Sequence, residues 1–181
     1  TVETLVRYVD ANTWMMDRDI GDMFLNFPLD KRVWPYTGLN LQHLFDGTEE
    51  EDDAILKMAG SQWVHWVRCL MGFKPSPYNS IKTALVVEEV AKGDRRSESN
   101  PFQWDHVRLN LPGNADYDPS ISWISKIRED GLIACEIFTF VDDERLSGAS
   151  RKLVWEAGHR LGYIQAYLGI QDAARKLRLM S

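Results

Sequence analysis

Two apolar runs, far apart in the chain, each end in carboxylates. Thr13-Trp14-Met15-Met16 leads to Asp19, and the run through Phe138 and Phe140 ends at Asp142 and Asp143. A two-metal phosphoryl-transfer site needs several hard oxygen ligands around a pair of divalent cations. The three acids supply such ligands only if the fold brings both strand ends together, which constrains the topology more than any other feature. An Asp-Asp pair after an apolar strand is, by itself, the mark of a solvated hairpin turn. The second acidic strand end makes the combination more specific.

Strand alternation divides the acids. Counting by two from Phe138 through Phe140 reaches Asp142, whereas Asp143 belongs with Thr139 and Val141. Asp19 and Asp142 are therefore expected as principal ligands, with Asp143 auxiliary.

The remaining chain reads as one α+β unit. At 181 residues it can bury a real core. A strand at residues 13–19 feeds a helical turn at residues 23–27, stopped by Pro28. Residues 31–44, with a turn at Gly38, predict a hairpin, and residues 62–70 are rich in Trp and Val as strands are. The acidic run at residues 46–53 reads as a solvated loop. Residues 76–90 predict an amphipathic helix marked by Ile81, Leu85 and Glu88, with Ser76 as cap. Residues 92–101 are a polar break and 102–119 irregular; 119–129 predict a helix. Residues 132–141 form the most apolar strand and are expected at the sheet's centre. Leu153, Ala157, Leu161, Ile164 and Leu168 mark the buried face of a helix over 148–168.

Cys69 and Cys135 are isolated, so neither a zinc site nor a disulfide framework is indicated, and a reducing intracellular compartment is expected, nucleus or cytoplasm undetermined. No long apolar stretch or leader is evident, so no membrane partner is expected. With Thr1 first, the chain is expected to be a soluble segment of a larger polyprotein. The net charge of -6 is unexpected for a protein that holds phosphate backbones. His43, His65, His106 and His159 lack metal spacing. Trp63, Trp66 and Trp155 are expected in the core.

Residues 19–30, Asp-Ile-Gly-Asp-Met-Phe-Leu-Asn-Phe-Pro-Leu-Asp, resemble the first catalytic block of retroviral and retrotransposon reverse transcriptases. Met71-Gly72-Phe73-Lys74-Pro75-Ser76-Pro77 is similar to their second block, and Phe140-Val141-Asp142-Asp143 to the third, in the family's order. The resemblance implies a polymerase palm, with a small antiparallel sheet carrying the acids and helices packed on one face. It implies an RNA-directed DNA polymerase of a retroelement, transferring dNTPs to a primer paired with an RNA or DNA template. Two Mg2+ ions, or Mn2+ in their place, would be held by Asp19, Asp142 and Asp143, with Ile20 adjoining. Ile20, Gly21 and Asp22 would offer backbone amides to the triphosphate. Phe24 would lie under the sugar and exclude a 2′ hydroxyl. Met71, Gly72, Phe73 and Lys74 would line the nucleotide and template side, with Ser76 and Pro77 beside the template and Phe140 and Val141 at the primer end. The helix from 149 to 168 would pack behind the catalytic hairpin, and Lys176 is a candidate proton donor or an exposed basic tail.

Departures from the family pattern bear on these roles. Met71 replaces a Gln that contacts the nucleotide, Met23 replaces a small residue, and Asp17 and Arg18 are polar where an apolar strand is expected. The stretch from Pro77 to Asp142 implies an insertion around residues 93–130. The upstream fingers and downstream thumb of the family are missing, so the 181 residues alone are expected to polymerise poorly or not at all. Two other readings remain open: an RNA-directed RNA polymerase palm, from Asp17 and Asp22 spaced five apart, and a domesticated, non-catalytic interaction module.

Overall fold

A computed structural model of the protein describes residues 13–41, 63–173 and 177–180. The acidic run, His43 and Lys176 lie outside the described residues. Those described form two helices and eight strands, a mixed α and β structure with antiparallel pairing throughout. The strands are β1 (Trp14–Asp19), β2 (Gly38–Asn40), β3 (Trp63–His65), β4 (His106–Leu109), β5 (Ile124–Ile127), β6 (Glu136–Phe140), β7 (Asp143–Gly148) and β8 (Arg178–Met180). The helices are α1 (Pro75–Lys92) and α2 (Arg151–Tyr167). None of the described helices is long and apolar enough to cross a membrane.

The chain divides into two compact units, Thr1–Met23 with Ile81–Ser181, and Phe24–Ser80. The first is built on a four-stranded sheet in the order β6-β7-β1-β8. Ile137, Leu146 and Met16 stand in one row across three strands. They share a buried cluster with Ala91 of α1 and Val154, Ala157 and Leu161 of α2, so both helices cover that face. Ser150 caps α2 by accepting the Leu153 amide at 3.3 Å. Gly148 and Gly158 leave room for Cys135 and Met16, because a Cβ at either would collide with those side chains.

Several sequence expectations are corrected. The apolar strand is at the sheet's edge, as β6, and begins only at Glu136. Its upstream residues are apolar because they pair elsewhere: Ala134 donates to the Lys126 carbonyl at 2.9 Å and Ile133 bridges Ile127. The helix expected over 119–129 is instead β5, paired with β4 inside the 93–130 segment. Here the β-branched Ile124 and Ile127 and the small Ser125 suit a pleated surface. Asn110 closes the intervening loop by bonding Asp118 and Ile121 carbonyls at 2.7 and 3.0 Å. Asn100 likewise braces the polar break, bonding the Lys92 and Asp94 carbonyls, both at 2.7 Å.

The buried stripe of α1 is Ser76, Ser80, Ala84, Val87, Glu88 and Ala91, whereas Leu85 is exposed. The expected marker Glu88 lies on this stripe, and the rest of it is Ser, Ala and Val instead of the larger Leu85. On α2 the buried stripe is Val154, Ala157, Gly158, Leu161 and Gln165, and Leu168 is exposed. Trp63, Trp66 and Trp155 are exposed rather than in the core; Trp155 packs its edge against His159 at 4.2 Å between ring centres.

In the second unit Gly38 starts β2, which pairs with β3, so it is not the expected turn. Trp34 stacks on His65 at 5.2 Å, and Leu29 and Phe27 exchange backbone bonds with Val67 and Cys69. Ser76 lies inside α1 and its hydroxyl accepts the Leu70 amide at 3.2 Å, closing the preceding turn instead of capping the helix.

Candidate active site

The acidic strand ends meet. β1 and β7 run antiparallel with Asp19 directly opposite Asp143, and Phe140 pairs with Asp143 on the other side. Val141 and Asp142 form the two-residue turn between β6 and β7, and the Ile20 amide donates to the Asp142 carbonyl at 2.8 Å. One row, Phe140-Asp143-Asp19, and its adjoining turn therefore carry all three acids. Asp19 is buried, Asp142 half-buried and Asp143 exposed.

The alternation count is corrected at this point, because the strand ends at Phe140 and Asp142 belongs to the turn. Asp143, expected as auxiliary, is the residue that faces Asp19 across the ladder. Like charges directly opposite each other on a sheet repel; the charge of Asp143 also acts on Arg145, two residues along β7.

The donors are the hard carboxylate oxygens that Mg2+ prefers, and the backbone gathers the residues that bear them. The side chains themselves are not converged: among the described residues, no three His, Cys, Asp or Glu are gathered to hold an ion.

Beneath the row lies a buried polar cluster. Arg18, on the α2 side of β1, donates to the Gly158 carbonyl, to Gln165 Oε1 at 2.9 Å and to Asp172 Oδ2 at 3.1 Å. Its Nε faces Glu144 Oε2 at 3.6 Å, and Gln165 Nε2 donates to Glu144 Oε1 at 2.6 Å. Burial drives the Glu144 carboxyl up to about 7, against the opposing pull of Arg18 and Gln165. On the other face Asp17 and Arg145 form a bidentate pair at 2.6 and 2.9 Å, which holds the Arg145 guanidinium above its ordinary range. The polar Asp17 and Arg18 thus have partners on opposite faces. The signal was present in sequence: Asp17-Arg18-Asp19 laid antiparallel on Asp143-Glu144-Arg145 matches two opposite charges and one like pair.

The segment after β1 is strapped down. Gly21 donates to the Gln171 carbonyl and Ala173 to the Asp19 carbonyl, both at 2.9 Å, and Ile20 bridges Asp172. The amides of Ile20 and Gly21, expected beside a triphosphate, bond the Asp142 and Gln171 carbonyls here. Asp22 is exposed with a φ of 48°, and Phe24 follows, half-buried, in a single 3-10 turn, Met23–Asn26.

Phe24 and the second-block residues belong to the second unit. Met71 and Lys74 are exposed, Phe73 is half-buried, Ser76 is buried and Pro77 is exposed. Gly72 has a φ of 86°, in the left-handed region that disfavours side chains, with open space where a Cβ would lie. Cys135 is buried, which pushes its thiol up to about 12 and keeps it protonated. Among known proteins, no family model and no curated relative matches this chain.

Proposed function

We propose that the first unit is the palm of a retroelement reverse transcriptase, an RNA-directed DNA polymerase that adds dNTPs to a primer 3′ end. The observation that carries the reading is the Asp19 and Asp143 pairing with Asp142 at the adjoining turn. A divalent-cation site needs hard carboxylate oxygens brought together from separate stretches of chain. The order of the three sequence blocks supports the same reading.

In this reading Asp19, Asp142 and Asp143 hold two Mg2+ ions, which when bound supply Lewis-acid activation of the primer hydroxyl and neutralise the triphosphate. The exposed Phe140 and the adjoining Val141 border the primer end.

The test is primer extension on a primed RNA template by the open reading frame that encodes this chain. Extension with dNTPs, absent with rNTPs and lost by at least a hundredfold in Asp142→Asn and Asp143→Asn, is expected. Equal activity of the Asn variants and the wild type would sink the assignment.

A further inference from the structure

We propose that Arg18 is a positioning residue for the acid row, linking β1, β7, α2 and the strap at residues 171–173 so that Asp19 and Asp143 can share a divalent cation. The role rests on the nucleotidyl-transfer reading above; the linkage rests on geometry alone. Arg18 precedes Asp19 and its guanidinium reaches three elements: the Gly158 carbonyl and Gln165 of α2, Asp172 of the strap, and Glu144, the residue after Asp143. The strap holds Asp19 from the other direction, because Ala173 donates to the Asp19 carbonyl and the Gln171 carbonyl accepts from Gly21. A path of direct bonds therefore runs from the guanidinium through Asp172 to the backbone on both sides of Ile20.

Helix α2 is shaped to admit this side chain. A Cβ at Gly162 would lie 2.7 Å from Arg18 Nη1, so only glycine at that turn leaves the guanidinium its place. Stability does not account for the cluster. Arg18 Nε and Glu144 Oε2 are both buried without a hydrogen-bond partner and face each other beyond bonding distance. Buried ionic groups of this kind are commonly replaced by apolar side chains with no loss of stability. What an apolar pair cannot do is tie α2 and the strap to the strand end that carries Asp19.

The apolar replacement is therefore the discriminating variant. The full chain is prepared as wild type, Arg18→Met/Glu144→Leu, Arg18→Lys, Asp172→Asn and Asp143→Asn. Each is measured for thermal midpoint and for Mn2+ binding, by the electron paramagnetic resonance of the free ion. The double variant orphans the buried Gln165 amide, whose partners are Arg18 and Glu144, so it is expected to stay folded but melt below wild type while binding Mn2+ at least tenfold more weakly. Arg18→Lys should recover part of that loss, and Asp172→Asn should weaken binding about threefold. In the open reading frame the Mg2+ concentration for half-maximal extension should rise in the same order, with the KM for primer-template unchanged. A folded double variant with wild-type Mn2+ affinity overturns the proposal; if that variant does not fold, wild-type affinity in Asp172→Asn does so. Wild-type chain that binds no Mn2+, or Asp143→Asn that binds as well as wild type, defeats the polymerase reading itself and this inference with it.

Discussion

Two neighbouring charge pairs on β1 and β7 point to opposite sides of the same sheet, and they are built differently. Asp17 and Arg145 meet on one face, half exposed, in a bidentate pair. Arg18 and Glu144 meet on the other, buried, with a looser contact of their own and firm bonds to α2 and the strap. The outer pair is a bidentate clasp whose Arg145 also feels the charge of Asp143; the inner pair is a junction. Together they fix the ladder, because a slip of one residue would set Arg18 against Arg145 or Asp17 against Glu144. The register they enforce is the one that opposes Asp19 to Asp143. Complementary charges next to the row thus hold the two acids opposite each other.

Unequal losses on the two faces are the first way to test this contrast. Arg18→Ala leaves Glu144 buried without its counter-ion and should lower the unfolding free energy by about 3–5 kcal/mol in urea titration. A loss no greater than that of the outer pair would erase the distinction. The pH dependence sharpens it next. Glu144 is raised from 4.5 to about 7 in the folded chain, so between those values the folded state holds the extra proton. Its contribution to stability is complete below pH 4.5 and lost as pH rises through about 7, on the order of 3 kcal/mol. Urea midpoints for Glu144→Gln should lack that decline.

On the outer face, Asp17→Ala should cost less than about 1 kcal/mol, since the pair is partly solvated. The smallest effect falls on Asp143, whose charge opposes Asp19 but also attracts Arg145. Without divalent ions, Asp143→Asn should change the unfolding free energy by less than about 1 kcal/mol. Added Mg2+ should then raise the thermal midpoint of the wild type but not of the variant.

The meeting of the acid ends was legible because two apolar runs closed by carboxylates leave few arrangements for a sheet. The helix over 151–167 was legible from its three-and-four spacing, though its true inner face includes Gly158 and Gln165, which carry no hydrophobic signal. Asp142 was misassigned because alternation holds only within a strand, and the strand stops at Phe140. The expected helix at 119–129 failed because the pairing of β5 with β4 is a tertiary fact, invisible to local propensity. The edge position of β6 was hidden for a related reason: the apolar run continues upstream of the strand, where Ala134 and Cys135 bond the backbone of Lys126 and Pro101 in the 93–130 segment. Arg18 read as a departure from pattern because its partners come from residues more than a hundred positions away.

Val141 has a φ of 58° in the two-residue turn, a conformation that glycine adopts freely and a β-branched side chain resists. Glycine there would relieve a local cost of roughly 1–3 kcal/mol. Valine instead leaves the hairpin under tension, like a bent spring, and narrows the excursions open to the tip. A relaxed loop would be cheaper to fold but would let its acidic tip wander.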